Sequence, residues 1–182
     1  VCADGRRGTY KLVGFYNSKS VADRRGGKPH DGNYGCYASA EQQLWREDAV
    51  AASSKQGLNS FARIAFAPAD RSLVAFDTDA GLDYTGLLPG RDNDILGIGF
   101  IYTRVSDDAV DETGARYPTH YEAVAEVSYQ APINDHLVLQ PAFQFVVNPG
   151  SVRPTRPPVV AVLPPSFTSS RPPPPPAPPL PP

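Results

Sequence analysis

The sequence predicts an all-β protein, an antiparallel meander of long strands that is part of a large transmembrane β-barrel. The first observation behind this prediction is that residues 73–84 alternate strictly between two kinds of side chain, with Asp77, Asp79 and Asp83 on one face; this is the period of a β-strand. The second is length, since soluble strands usually run about 5–6 residues. A strand of about 9–11 residues crosses a bilayer with only alternate side chains apolar.

Six further segments show strand patterns. They are the strand that begins at Ile95 and the ranges 9–17, 33–46, 57–67, 122–130 and 137–147. Gln42 breaks the alternation of the second range, as a β-bulge would. Pro141 stands inside the last range and predicts a local kink, because proline removes a ladder donor. The sequence thus predicts seven strands before residue 148, each paired with its neighbour in sequence.

The connections between these strands differ at the two ends of the predicted sheet. Turns near 47–56, 85–94 and 131–135 lie at one end. Longer, more polar loops at 18–32 and 106–119 lie at the other, together with a short one at 67–72. Short turns at one rim and long loops at the other are typical of outer-membrane barrels.

Aromatic residues fall near both predicted rims, where a barrel meets the membrane interfaces. The predicted interface aromatics are Trp45, Tyr84 and Tyr129 on the short-turn rim, and Tyr16, Tyr102 and Phe145 near the long-loop rim.

Composition argues against several other classes of protein. The net charge is −2, and the basic residues do not gather on one face, so no nucleic-acid partner is expected. No run of about 18 apolar residues predicts a transmembrane helix. Cys2 and Cys36 form no CxxC pair, so a metal is not expected, while a disulfide stays open. The chain has no Gly-rich phosphate loop, GxSxG or HExxH motif, and we predict neither an enzyme nor a cofactor.

Five segments together resemble the carbohydrate-selective porin family (OprB type) of Gram-negative outer membranes. They are GTYKLVGFYNS from Gly8, GNYGCYASAEQQLWR from Gly32, the stretch 66–107 with its LLPGRDND turn, YEAVAEVSYQ from Tyr121 and LQPAFQFVVNPG from Leu139. The resemblance covers residues 8–150. It implies a barrel of about 16 strands with a water-filled lumen, passive diffusion of mono- or oligosaccharides, periplasmic short turns and extracellular long loops.

The tail departs from that family, whose members end in one more alternating strand. Of the 21 prolines, 14 lie in residues 151–182, and from Pro154 onward we expect no membrane strand, because proline lacks the donor that a ladder needs. A shifted reading frame and a polyproline II segment are both open. We therefore divide the chain into residues 1–150, a partial barrel of about seven strands, and residues 151–182, a disordered tail. The chain contains no methionine, and Val1 opens without a signal-peptide pattern, so any signal peptide is expected to lie upstream or to have been removed. We therefore expect an excerpt of a longer parent that supplies further strands.

Charged and amide side chains recur on the face opposite the apolar one. We predict that the following residues line the pore and contact substrate: Arg63, Asp77, Asp79, Asp83, Glu122, Glu126, Gln140 and Gln144. Paired carboxylates could also hydrolyse glycosides or bind calcium, but a wet lumen, where charge costs little, is the favoured interpretation. Tyr37 and Phe61 are candidates for aromatic contacts with sugars.

Two hypotheses of different classes follow. The first is a porin wall in the outer membrane, with lipid against its apolar face. The alternative is a soluble all-β binding module whose proline-rich tail docks a partner. They differ in where the apolar face lies, since a soluble module must bury that face in a core.

Overall fold

A computed structural model describes residues 6–47, 56–110, 114–151, 159–163 and 165–167 of the chain. Cys2, most of the first short turn and most of the proline-rich tail lie outside the described residues. Cys36 is an exposed free thiol. No helix in the described ranges is long and apolar enough to cross a membrane.

Within these ranges the chain forms ten strands and one short 3-10 turn, Pro149–Ser151. The strands are β1 (Gly8–Val21), β2 (His30–Arg46), β3 (Gly57–Phe66), β4 (Val74–Thr85), β5 (Ile95–Val105), β6 (Tyr121–Asn134), β7 (Leu137–Leu139), β8 (Ala142–Val147), β9 (Val159–Val162) and β10 (Pro165–Phe167). The first six span 10 to 17 residues each, as their long alternating sequences predict.

The strands form one antiparallel meander. Each of β1 to β5 pairs with the next strand along the chain, and β6 pairs with both β7 and β8. The sheet is open in the described residues, with β1 at one edge and β9 and β10 at the other. The predicted meander of antiparallel strands is confirmed.

The predicted last strand is divided in two at Pro141. β7 pairs with the end of β6 through Leu139 and Ala131, and β8 resumes at Ala142 opposite Ser128. Proline has no N–H to give the ladder, but its carbonyl still accepts a hydrogen bond of 3.0 Å from the Tyr129 amide. The kink predicted at Pro141 is therefore a short break between β7 and β8, and both of these strands pair with β6.

The tail differs from the prediction. Val159–Val162 forms β9 against β8, with Ala161 opposite Phe143, and the backbone of residues 165–167 pairs with β7. Residues 159–163 contain no proline, so their amides can enter a ladder, and a proline at the first position of β10 is tolerated. The expectation that residues after Pro154 make no ladder was wrong for these two segments; the rest of the tail lies outside the described residues.

A second difference concerns the bulge in β2. The register against β3 is regular at Gln42, which lies opposite Ser60, and shifts between Gln43 and Trp45. The extra residue there is Leu44. This bulge turns Trp45 onto the apolar face, opposite Leu58, because one inserted residue inverts the alternation beyond it.

The register sorts the side chains onto two faces. Phe100 lies opposite Ala80 and Ala125, and the apolar row continues to Phe145. Asp79 lies opposite Arg63 and Ile101 on the other face. The predicted separation of apolar and acidic residues is confirmed along the regular ladders of β3 to β8.

The sheet has almost no apolar core. The buried hydrophobic side chains among the described residues are few and small: Val105, Ala109, Ala131, Ala142 and Val146. Large apolar side chains are exposed instead, including Leu12, Phe100 and Phe143. A soluble module must bury such a face, so a single layer with an uncovered apolar face favours lipid as its neighbour.

Candidate functional site

The polar face of the sheet brings together most of the predicted pore residues. Arg63, Asp77, Asp79, Asp83, Glu122, Glu126 and Gln144 share this face, which we call the lumen face. Gln140 lies in the break between β7 and β8 and belongs to neither strand, so strand register does not assign it to a face and its pore-lining role stays a prediction.

Arg63 links two of the predicted acids. Its Nη2 lies 2.5 Å from Asp79 Oδ2 and 3.3 Å from Asp77 Oδ1. Arg63 pairs with Asp79 across β3 and β4, and Asp77 stands two residues away on the same face. The Arg63 side chain is half exposed, whereas the two carboxylates are mostly covered, so the guanidinium keeps N–H donors open to solvent on this face of the sheet.

Neighbouring strands supply the other partners. Thr103 donates a hydrogen bond of 2.7 Å to Asp77, and the Asn59 amide donates one of 2.9 Å to Asp83. The Gln144 amide similarly donates to the Glu126 carboxylate at 2.5 Å. Asn59 and Thr103 were not predicted as partners of these acids, because a cross-strand partner depends on register rather than on the alternation of its own strand.

A groove of about 470 Å³ lies on the lumen face over β2 to β8. Its polar lining comes from Ser39, Glu41, Arg63, Asp79, Glu126 and Gln144, and Phe61 contributes an aromatic ring. Glu41 was not among the predicted pore residues, although the alternation of β2 places it on the same face as Tyr37. Mixed charges beside an aromatic ring can hydrogen-bond a neutral polar solute and contact its apolar parts.

Aromatic side chains follow the two ends of the apolar face. At the short-turn end, the rings of Trp45 and Tyr84 lie 6.0 Å apart, and Tyr129 follows in the same row opposite Leu96. Tyr16, toward the loop end, donates a hydrogen bond to the Asp31 carbonyl.

The loop end carries a second row of aromatic rings, of which only Tyr102 was predicted from the sequence. Ring centroids are 5.1 Å apart for Phe66 and Phe76, 6.2 Å for Phe76 and Tyr102, and 5.7 Å for Tyr102 and Tyr121. Phe145, predicted for this rim, instead lies in the middle row beside Ala125. The row of Phe145 can be assigned only from the register between β6 and β8.

The three loops at the long-loop rim, which we number in chain order as 22–29, 67–73 and 106–120, bind one another. The Arg24 amide in the first loop donates to the Asp70 carbonyl in the second at 2.7 Å. Arg25 Nε contacts Asp108 Oδ2 in the third at 2.7 Å. Loops that join different strand pairs are therefore tied together across the sheet.

Carboxylates in this loop cluster are stabilised in the charged form. The Arg25 amide donates to Asp23 and lowers its pKa, with a further contribution from His30, whose Nε2 lies 2.8 Å from Asp23 Oδ2. The guanidinium of Arg71 lowers the pKa of Asp70. Both carboxylates stay ionised well below neutral pH.

The turn between β4 and β5 contains the LLPGRDND sequence, and it is held by Asp94. Burial alone raises the pKa of this carboxyl, but hydrogen bonds from Tyr129 and Arg91 outweigh it, so the pKa is lowered. Arg91 Nε lies 2.7 Å from Asp94 Oδ2. Gly86 and Gly90 adopt positive φ, where a side chain would strain the backbone. The turn therefore needs this glycine, arginine and aspartate combination.

Among the residues that the structure describes, no three His, Cys, Asp or Glu side chains come together as metal ligands. The lumen carboxylates are instead engaged with Arg63, Thr103, Asn59 and Gln144. A wall of ion pairs and amides is suited to contact with dissolved polar molecules.

One apolar face, one polar face and aromatic rows between short turns and long loops define the wall of a transmembrane β-barrel. Comparison with known proteins agrees with this class. The model of the OprB family of carbohydrate-selective porins matches residues 3–163. The chain belongs to this family, whose members are passive channels of the Gram-negative outer membrane.

Among solved structures, the chain is similar to OprB of Pseudomonas putida, determined at high pH. The TM-score is 0.77 at 24% sequence identity, and the match covers 88% of this chain but 44% of that one. The chain thus spans less than half the length of that structure. A search of curated protein sequences found no match.

Proposed function

We propose that this chain forms part of the wall of an outer-membrane channel through which mono- or oligosaccharides diffuse passively, and that it is not an enzyme. Further strands complete the barrel, and outer-membrane lipid covers its apolar face. Family membership supports the class of solute. The single observation that carries the proposal is the one-layer sheet, with mixed charges on one face and uncovered apolar residues on the other.

The charges on the lumen face favour a neutral polar solute over an anion. Arg63 contributes one positive charge to the groove, against the carboxylates of Glu41, Asp79 and Glu126. This excess of acids repels anions, whereas hydroxyl groups can both accept from Arg63 and donate to the acids. We propose that Asp77, Asp83 and Glu122 extend this lining.

The alternative, a soluble module with a docking tail, is not favoured, because it provides no burial for the apolar face.

The test uses the closed barrel that contains these strands, reconstituted in liposomes. We expect glucose to enter and swell the liposomes several times faster than gluconate, which has a similar size and a negative charge. Variant Asp79→Asn should narrow that difference. Equal rates for the two solutes, or no swelling above that of empty liposomes, would contradict the proposal.

A further inference from the structure

One row of the lumen face is bare of side chains at its centre. The row runs across five strands and consists of Phe61, Gly81, Gly99, Glu126 and Gln144, each opposite the next. Neighbouring strands are about 4.8 Å apart, so about 14 Å of wall separates the backbones of Phe61 and Glu126. The two glycines leave that wall as a floor without side chains of its own.

Phe61 lies across the first glycine. A Cβ added to Gly81 would be 2.6 Å from Phe61 Cε1 and 2.7 Å from Cζ, so the ring rests on the Gly81 backbone. The same Cβ would lie 2.6 Å from the Ile98 carbonyl, so only glycine fits there. With one face on the wall and 39% of the residue exposed, the ring turns its other face to the groove.

Gly99 keeps the adjoining floor open for a different reason. A Cβ there would meet nothing closer than the Ala80 carbonyl at 4.0 Å, and Gly99 lines the groove. The wall would accept a side chain at this position, and that side chain would occupy the groove. The space beside the Phe61 ring therefore exists because Gly99 has no side chain, and not because the backbone there requires glycine.

Hydrogen-bonding groups border this floor. The row toward the loops carries Arg63 and Asp79, the row toward the turns carries Asn59 and Asp83, and the far end carries Glu126 with Gln144. An aromatic face surrounded by donors and acceptors matches a solute with an apolar C–H face and a rim of hydroxyl groups.

We propose that Phe61 with the Gly81–Gly99 floor is a subsite that binds one face of a sugar ring, and that Phe61 determines specificity for sugars over other neutral solutes of the same size. This inference rests on the proposed sugar channel. Phe15, the other ring laid over a glycine on this face, rests on Gly35 and lies outside the groove, which makes it a matched control.

The test measures the affinity of glucose from current block in planar bilayers containing the closed barrel. We expect Phe61→Ala to weaken glucose binding about five- to tenfold. Phe61→Tyr should keep the glucose affinity within about twofold of the unaltered channel, and Phe15→Ala should leave both the affinity and the single-channel conductance unchanged. Variant Gly99→Val should also weaken glucose binding, because the valine side chain fills the groove while Phe61 is still present. This variant tests the subsite even if Phe61→Ala does not fold.

The outcomes separate the inference from the proposed function. If glucose blocks the unaltered channel and blocks Phe61→Ala and Gly99→Val equally well, the subsite is overturned. The proposed sugar channel then remains intact. Equal weakening by Phe61→Ala and Phe15→Ala also overturns it, since no particular ring would then be required. A channel that glucose does not affect in any form overturns both.

Discussion

The orientation of the sheet can be tested by placing the same charge on two consecutive residues of β5. Phe100 belongs to the apolar face, opposite Ala80 and Ala125, and Ile101 belongs to the lumen face, opposite Asp79 and Val124. Both residues are close to half exposed. Phe100→Arg and Ile101→Arg therefore place the new charge at nearly the same position in the strand and with nearly the same exposure. They differ in the face of the sheet on which the charge lies.

The depth of Phe100 sets the size of the effect. It stands four residues from Leu96, in the row of the turn-end aromatics, and four from Arg104, near the loop end. At about 3.4 Å per residue and a tilt of about 40°, each distance corresponds to about 10 Å along the membrane normal. Phe100 thus lies close to the midplane, where arginine facing lipid costs about 2–4 kcal/mol.

The Ile101 side chain faces water and the carboxylate of Asp79. We expect Ile101→Arg to change stability by less than about 1 kcal/mol, as is usual for a solvated surface position. The sequence contains a natural precedent for the effect of depth: Arg104 is on the apolar face, but at the loop rim, where its Nη2 reaches Asp107 at 3.0 Å.

The measurement is equilibrium unfolding of the closed barrel in phospholipid vesicles by guanidinium chloride. Trp45 is the only tryptophan of these 182 residues and stands on the apolar face beside Tyr84. In a barrel whose remaining strands have their tryptophans replaced by phenylalanine, its emission reports loss of the membrane environment. Equal losses of stability for the two variants, or a larger loss for Ile101→Arg, would refute the assignment of the faces.

Three further predictions concern the lumen, the loops and the sheet edges. Arg63→Gln should shift the reversal potential in a KCl gradient toward cation selectivity. Asp79→Asn should shift it toward anion selectivity and change stability by under about 1 kcal/mol; shifts in the same direction would count against the placement of both charges on the lumen face. Because the pKa values of Asp23 and Asp70 are below their ordinary 3.8, the loop cluster is stable above that pH and weakens only as pH falls below it. Hydrogen-exchange protection of the Arg24 amide should therefore hold from pH 7 to 5 and decline below about 3.8, and a decline near pH 6 would contradict this cause. The 182-residue chain alone should form no stable channel in a planar bilayer, since open edges leave unpaired backbone groups that lipid does not tolerate; steady conductance from it would disprove this.

The sequence predicted the parts of the fold that depend on one strand at a time. Alternation located β1 to β6, and it assigned residues such as Asp79 and Phe100 to opposite faces, because period 2 permits two assignments only. The turn before β5 could also be identified, since its glycines and charged residues are specific.

Features that depend on the pairing of two strands could not be predicted from the alternation of one strand. The contact of Arg63 with Asp77 and the partnership of Asn59 with Asp83 follow from register, which hydrogen bonds between strands determine. Strand β9 was missed because the surrounding prolines dominated the interpretation of a four-residue segment that itself contains none. The loop contact of Arg25 with Asp108 joins residues 83 positions apart, and no local pattern indicates it.

The near absence of buried hydrophobic residues in the described part of the chain has a consequence for how this protein tolerates change. In a globular domain, the solvent is the same on all sides and the interior provides most of the stability. Here the membrane takes the place of that interior, so the stability of the sheet belongs jointly to the chain and to the lipid around it. Bilayer thickness and composition should then shift the unfolding midpoint, because each ångström of mismatch costs a fraction of a kcal/mol. The same sequence has no single stability apart from the membrane that holds it.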